Sequence, residues 1–286
     1  MAHIAYVNGR FLRHDAAAVH IEDRGYQFAD GIYEVVAVRR GRPANRDRHL
    51  DRMERSLAAL RIAPPLSRRA LELVIGELVR RNRLTDGMIY LQVTRGTAPR
   101  DHPFPPAARP ALVMTARRGR PPDPVLVEEG VRVIAIPDIR WGRCDVKSIA
   151  LLPNVLGKQE ARDGGAFEAW QVDREGRVTE GTSTNAWIVT PAGEIVTHPA
   201  DHAILGGVTR AVLLDLARRA GLPVAERPFT LAEAKAAREA FLTSTTALLL
   251  PVVAIDEAVI GNGKPGSIAG SLRRLYLAEL AAAGRP

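Results

Sequence analysis

Residues 143–153 read RCDVKSIALLP and contain one of the few lysines in this chain of 286 residues. Only four of its 40 basic Lys and Arg residues are lysines, so nearly every routine surface cation is an arginine. Arginine stays protonated, whereas a partly buried lysine can lose its proton and act as a nucleophilic amine. Apolar residues flank Lys147 on both sides, which lowers the cost of a neutral amine. Lys147 is therefore a candidate for Schiff-base chemistry.

The alternative is that the four lysines are remnants of a biased composition. The other three fit that interpretation, because Lys158 and Lys235 are expected on exposed helix faces and Lys264 in a Gly/Pro turn. Only Lys147 lies between two apolar stretches.

The composition is that of a globular protein, with 46% hydrophobic and 25% charged residues. No apolar run is long enough to cross a membrane, and the start of the chain lacks the pattern of a signal peptide. The single cysteine, Cys144, excludes an internal disulfide and favours a reducing compartment. We therefore expect a cytoplasmic protein without a membrane segment.

The net charge of +8 raises nucleic-acid binding as an alternative function. However, acids separate the arginines, as in RDRHLDRMER at 46–55, and aromatic residues make up only 5% of the chain. A basic nucleic-acid-binding protein is therefore a distant alternative.

The order of strands and helices predicts an α+β fold in two domains, because the two element types mix without a regular βαβ repeat. Asn8-Gly9 indicates a hairpin, Ser67 a helix start, and the Gly/Pro-rich residues 116–124 a linker. We predict an N-terminal domain at 1–115, a C-terminal domain at 125–286, and a site between them.

Residues 203–221, AILGGVTRAVLLDLARRAG, are typical of a glycine-rich helix start. The free N–H groups at such an end suit a phosphate, although an ordinary threonine cap explains the same pattern. Hydroxyl residues at 243–246 could bind phosphate oxygens or close a turn. Glu180 precedes a polar turn, where it could pair with a protonated ring nitrogen or lie at the surface.

Two further sets of cations are candidate anion ligands. His49 and Arg52 are three residues apart on a predicted helix, and Arg95, Arg100 and His102 lie in a Pro/Gly loop. A solvated surface is the alternative for both. GNGKPG at 261–266 fits a dinucleotide-binding pattern, but too little chain follows it, and we predict a turn. No motif indicates a metal site.

The order of these features resembles the fold-type IV, or class IV, pyridoxal phosphate aminotransferases. The resemblance runs nearly end to end and is strongest with the D-amino acid-specific members. Its motifs are EDRGYQFADGIYEVV (22–36), YLQVTRGTAPRDHPFP (90–105), DIRWGRCDVKSIALL (138–152), VLGKQEA (155–161), VTEGTSTN (178–185), HPADHAILGGVTR (198–210) and TSTTALLLPV (243–252).

The resemblance implies a two-domain fold-type IV enzyme with pyridoxal 5'-phosphate between the domains. Lys147 would form the Schiff base with the cofactor and carry the proton during catalysis. Glu180 would keep the pyridine nitrogen protonated, and Leu205 would pack on the ring. The phosphate would be bound by Arg52, Gly207, Val208, Thr209, Ser244 and Thr245.

For the D-specific members, the resemblance also implies a trap for the substrate carboxylate. Tyr33, Arg100 and His102 match it, and the loop with Arg100 and His102 would come from the other subunit of a homodimer. The implied reaction is ping-pong transfer from D-alanine to 2-oxoglutarate, giving pyruvate and D-glutamate. An L-branched-chain aminotransferase or an aminodeoxychorismate-type lyase of the same fold is the alternative.

Overall fold

The computed structural model describes residues 3–119 and 122–283, and they divide by packing into two compact units. The first unit contains residues 3–119 together with Val146–Ala150, and the second contains the remainder. Each unit has its own sheet, and helices pack against it. The α+β architecture expected from the sequence is confirmed.

The first unit is built on an antiparallel sheet with the strand order β2-β1-β6-β5-β3-β4. Its elements in chain order are β1 (Ile4–Val7), β2 (Arg10–Arg13), α1 (Arg24–Phe28), β3 (Gly31–Arg39), β4 (Arg42–Pro43), α2 (Arg46–Ala59), α3 (Arg68–Arg81), β5 (Gly87–Thr94) and β6 (Ala111–Arg118). The predicted hairpin is confirmed: Asn8 and Gly9 join β1 to β2 with φ of 45° and 93°, which suits the tight turn of an Asn-Gly hairpin.

Helices α2 and α3 cover this sheet with apolar faces at helical spacing. Leu50, Met53 and Leu57 of α2 are buried, as are several aliphatic residues of α3. The predicted cap of α3 is confirmed, because the Ser67 side chain accepts a hydrogen bond from the Ala70 N–H at 3.3 Å.

The second unit contains a mixed sheet with the order β12-β11-β10-β13-β14-β7-β8-β9, and β15 pairs with β14. Its elements are α4 (Pro124–Glu128), β7 (Val131–Pro137), α5 (Leu152–Asp163), β8 (Glu168–Val172), β9 (Val178–Gly181), β10 (Asn185–Val189), β11 (Ile195–Thr197), α6 (Val208–Arg219), β12 (Val224–Glu226), α7 (Leu231–Lys235), β13 (Glu239–Ser244), β14 (Leu248–Ile255), β15 (Ala258–Val259) and α8 (Ser267–Ala283). Residues 261–266 form a turn ahead of α8, as expected.

The structure differs from the predicted boundaries in two places. Strand β6 continues through 116–118 and α4 begins at Pro124, so the connection is shorter than the predicted linker; its Arg120 and Pro121 lie outside the described residues. Residues 146–150, predicted within the second domain, instead pack with the first unit because their backbone pairs with β3. Within 3–119 and 122–283, no helix is long and apolar enough to span a bilayer.

Candidate active site

Backbone pairing with β3 fixes the segment that carries Lys147. The Tyr33 N–H donates to the Lys147 carbonyl at 3.0 Å, and the Ile149 N–H donates to the Gly31 carbonyl at 3.1 Å. A Cβ on Gly31 would lie 2.6 Å from the Val93 carbonyl and 3.1 Å from the Ile149 side chain. Glycine at position 31 therefore lets the lysine segment approach the sheet.

A second anchor comes from helix α2. The Ser56 hydroxyl accepts a hydrogen bond from the Lys147 N–H at 3.3 Å. The Nζ atom of Lys147 lies 4.1 Å from the centroid of the Tyr33 ring. The structure thus brings together Lys147 and Tyr33, two of the residues singled out in the sequence.

Tyr33 belongs to a row of polar and aromatic side chains on one face of the sheet. Its ring stacks on Tyr90 with centroids 5.7 Å apart, and the Tyr90 hydroxyl donates to Gln92 Oε1 at 2.6 Å. Burial, with a further contribution from Tyr33, raises the pKa of Tyr90 to about 12. The Tyr90 phenol therefore stays neutral and donates a hydrogen bond at physiological pH.

Next to Tyr33 in β3, Glu34 belongs to a buried group of charged residues that also contains His49 and Arg52. Arg52 donates to both Glu34 carboxylate oxygens, at 2.7 and 2.8 Å, and His49 Nδ1 lies 2.8 Å from one of them. Burial raises the pKa of Glu34, but the charge and hydrogen bonds of Arg52 and His49 outweigh it and lower the pKa to about 2. Burial also lowers the pKa of His49. The result is a fixed ion pair rather than a solvated helix face.

The structure therefore excludes the solvated-surface interpretation of His49 and Arg52. Both side chains point into the protein, where they are 1% and 5% exposed, and both contact Glu34. Glu34 was not singled out from the sequence. The sequence feature that could have indicated Glu34 is an acid at an inward-facing position of β3, between the buried Ile32 and Val36.

The loop after β5 presents two more predicted cations, Arg100 and His102. The Arg100 guanidinium lies 4.7 Å from the centroid of the Phe28 ring, and the His102 ring lies 5.5 Å from the same centroid. Across 3–119 and 122–283, no carboxylate lies within ion-pair distance of Arg100. Its charge is therefore available to an anionic ligand. Arg95, in contrast, pairs with Asp30 at 2.8 Å.

In the second unit, Glu180 lies at the end of β9 and is 6% exposed. Its carboxylate accepts hydrogen bonds from Arg140, from Asn185 Nδ2 at 3.0 Å and from the Leu205 N–H at 3.1 Å. A buried carboxylate with this many donors is held in one orientation. The surface alternative for Glu180 is thus excluded.

Arg140 and Asn185 were not predicted as site residues, although both lie in the motifs quoted above. Arg140 also pairs with Asp138 at 2.7 Å. Burial would lower the pKa of Arg140, but the charges of Glu180 and Asp138 raise it, so the guanidinium stays charged. Asn185 Nδ2 also donates to the Leu205 carbonyl at 2.9 Å, which joins Glu180 to the segment before α6.

Helix α6 begins at Val208, with Gly207 as its cap residue and no side chain capping it. A Cβ on Gly207 would lie 2.0 Å from Asn185 Oδ1, so only glycine permits this approach. The first N–H groups of a helix have no partner within the helix, and its positive end favours an anion. Thr209 adds a buried hydroxyl 3.4 Å from the Tyr276 hydroxyl. The N-terminus of α6 and the segment leading into it thus contain four of the predicted residues: Leu205, Gly207, Val208 and Thr209.

The hydroxyls at the end of β13 take part in a turn. Ser244 Oγ accepts from the Ala247 N–H at 3.0 Å and lies 3.4 Å from Thr246 Oγ1, while Thr245 follows it in the turn. Helix α6 packs against β13. The turn-closing role considered for Ser244 is therefore present, and a hydroxyl is also a group that can donate to a phosphate.

The sequence profile of the family "Amino-transferase class IV" matches residues 31–255. The chain belongs to the class IV aminotransferases. It is 42% identical to the D-alanine aminotransferase of Bacillus licheniformis over 261 residues, or 91% of each chain.

Two solved structures of class IV relatives share its fold. The branched-chain amino acid aminotransferase of T.th., solved with pyridoxamine 5'-phosphate, is 27% identical, with a TM-score of 0.91 over 100% of this chain and 96% of that one. The 4-amino-4-deoxychorismate lyase of Pseudomonas aeruginosa is 30% identical, with a TM-score of 0.82 over 96% of this chain and 99% of that one. The fold-type IV assignment is confirmed.

Proposed function

We propose that this class IV aminotransferase uses pyridoxal 5'-phosphate to exchange amino groups between D-amino acids and 2-oxo acids. Its preferred pair would be D-alanine and 2-oxoglutarate, giving pyruvate and D-glutamate. The observation that carries the proposal is the placement of Lys147, with its backbone held by β3 and α2 and its amine 4.1 Å from the Tyr33 ring centroid. The relative from Bacillus licheniformis supports the choice of D-amino acids.

The chemistry of the donor groups fits this cofactor. The N-terminus of α6 with Thr209 suits a phosphate, and Ser244 and Thr245 provide further hydroxyls. The buried carboxylate of Glu180 suits a protonated ring nitrogen, and the Leu205 side chain suits the face of a ring. Lys147 provides the primary amine that would react with the aldehyde of the cofactor. Arg52 stays a predicted phosphate ligand, held in orientation by Glu34.

When bound, pyridoxal phosphate supplies an aldehyde for amine exchange and a ring that accepts the electron pair released at the substrate Cα. Lys147 Nζ would take the proton from the substrate Cα and deliver it to the C4′ carbon of the cofactor. Glu180 would keep a proton on the ring nitrogen of the bound cofactor, and Arg140 and Asn185 keep the Glu180 carboxylate in place. Proton transfer requires such fixed geometry between donor and acceptor.

The position of the substrate carboxylate decides which enantiomer reacts. We assign it to Arg100, His102 and Tyr33, because Arg100 carries a charge without an ion-pair partner among the described residues. In the proposed homodimer, the loop of one subunit completes the site of the other. The homodimer and the cytoplasmic location stay predictions.

The first experiment is the visible spectrum of the purified protein with pyridoxal phosphate, before and after addition of D-alanine or L-leucine. We expect D-alanine alone to shift the band of the bound cofactor towards that of pyridoxamine phosphate. A response to L-leucine alone would favour the branched-chain alternative. Absence of any band after cofactor addition would leave a basic binding protein as the explanation.

The role of Lys147 is tested by Lys147→Ala with Lys235→Ala as the matched control. Lys235 is a half-exposed lysine that pairs with Asp256 at 2.7 Å and belongs to none of the groups assigned to the site. We expect K147A to lose turnover by several orders of magnitude and K235A to keep it. Normal activity of K147A would rule out the proposed mechanism.

A further inference from the structure

The loop that carries Arg100 and His102 is held mainly by a segment more than seventy residues earlier in the chain. The Arg24 N–H donates to the Gly96 carbonyl at 2.9 Å, and the Ala98 N–H donates to the Glu22 carbonyl at 3.3 Å. Asp23 and Thr97 form a bridge between these two bonds. The first part of the loop therefore lies along residues 22–24.

Beyond Ala98, the hydrogen bonds that other described segments donate to the loop carbonyls come from one side chain, that of Arg24, which is only 3% exposed. Its Nη1 donates to the Asp101 carbonyl at 2.5 Å, and its Nη2 donates to the His102 carbonyl at 3.2 Å. These carbonyls belong to the two peptide groups on either side of His102, and the first of them lies one residue beyond Arg100. A guanidinium donates in a fixed planar fork, so it orients both peptide groups together.

Asp30 in turn orients Arg24. It accepts from Arg24 Nε at 2.8 Å and from Arg95 through both carboxylate oxygens, at 2.8 and 2.9 Å. Burial raises the pKa of Asp30, but the hydrogen bonds and charges of Arg95 and Arg24 outweigh it and lower the pKa. Asp30 is therefore ionised at neutral pH and holds both guanidinium groups.

Phe28 is the other support of the loop. The guanidinium groups of Arg24 and Arg100 lie 4.8 and 4.7 Å from its ring centroid, and the His102 ring lies 5.5 Å away. Asp30 and the loop carbonyls occupy Arg24, whereas Arg100 has the ring as its contact. Arg24 therefore acts as a clamp on the loop, whereas Arg100 is exposed.

We propose that Arg24 is a positioning residue for the substrate carboxylate, which acts by fixing the loop that presents Arg100 and His102. This inference rests on the proposed function, in which those two residues bind the carboxylate. Arg24 and its loop belong to the same chain, so the clamp acts within one subunit. Because small misplacements of a binding group have large kinetic effects, releasing the loop weakens substrate binding more than it slows the chemical step.

The test is a comparison of Arg24→Gln with Arg61→Gln in the holoenzyme. Arg61 stacks on Phe104 at 4.7 Å in the same cationic region, but its side chain does not reach the Asp101 or His102 carbonyl. For R24Q we expect KM for D-alanine to rise on the order of 10-fold or more, while kcat changes by less than about 3-fold. For R61Q both constants should stay near those of the wild type.

A merely structural role of Arg24 predicts a different pattern. Loss of folding would lower kcat and the cofactor absorbance per subunit together, without a selective change in KM. If R24Q does not fold, Arg24→Lys keeps the positive charge beside Asp30 but lacks the fork, and it should show the same selective rise in KM. An unchanged KM in the folded variant would overturn the proposal.

Arg100→Gln separates this inference from the function on which it rests. A rise in KM for R100Q but not for R24Q would reject the clamp and leave the proposed function intact. A rise in both supports the clamp. If the wild type transaminates D-alanine and KM is unchanged in both R24Q and R100Q, the loop does not bind the carboxylate. The proposed role of Arg24 would then be wrong. Failure of the wild type to react with D-alanine would overturn both.

Discussion

Removal of the Glu34 carboxylate should destabilise the first unit. Its carboxylate is fully buried and accepts two hydrogen bonds from Arg52 and one from His49. Its pKa falls from an ordinary value of 4.5 to about 2 because Arg52 and His49 outweigh the effect of burial. At about 1.4 kcal/mol per tenfold change in an acid constant, this shift contributes roughly 3 kcal/mol to folding. Glu34→Gln leaves Arg52 buried beside a neutral group, and this figure already contains that loss.

The sign of the pH dependence follows from the lowered pKa. The contribution of Glu34 is fully present above pH 4.5 and is lost as pH falls from 4.5 through about 2. The stability difference between the wild type and E34Q should therefore shrink by roughly 1 kcal/mol between pH 7 and pH 3.5. A constant difference would mean that folding does not lower the pKa of Glu34.

The assay is urea unfolding followed by circular dichroism, because all three tryptophans lie in the second unit and would not report on the first. Glu77→Gln is the matched control. The pKa of Glu77 is also lowered to about 2, by hydrogen bonds from Arg80 and Arg81, but these ion pairs face solvent on α3. Such pairs contribute little, so E77Q should unfold near the wild-type midpoint. Equal losses in both variants would refute the argument from burial.

Two further predictions concern the second unit. Gly207→Ala places a Cβ against Asn185 Oδ1, which would sit 2.0 Å away, so Asn185 must leave Glu180. We expect weaker pyridoxal phosphate binding, measured by titration of the apoprotein, and wild-type affinity would contradict the geometry. Burial raises the pKa of the Cys144 thiol to about 11, so the folded protein should react slowly with a thiol reagent at pH 8 and rapidly in urea. Equally fast labelling of both forms would show that the thiol is accessible.

Local patterns predicted several elements correctly because their causes are local. The cap and apolar spacing of α3, the Asn8-Gly9 hairpin, and the glycine-rich start of α6 depend on residues a few positions apart. Pro153 likewise has a local explanation, because it lies in the first turn of α5, where a missing N–H has no cost.

Contacts between distant residues could not be predicted in this way. Glu34 reaches Arg52 across 18 positions, and Arg24 reaches Asp101 across 77. In each case the partner depends on the register of a strand or the course of a loop. The acid in β3 was visible in the sequence, but the pleat that turns it towards α2 belongs to the folded sheet.

The sequence by itself singled out Lys147 as the candidate nucleophile, predicted a helix start near Thr209, and predicted a fold that mixes strands with helices. The tertiary structure alone decided what each charge contacts. Arg52, Arg95 and Arg24 are all buried against carboxylates, whereas Arg100 has no such partner among the described residues. The reason is physical: a buried charge must be paired, and which charges are buried depends on packing between segments far apart in the chain.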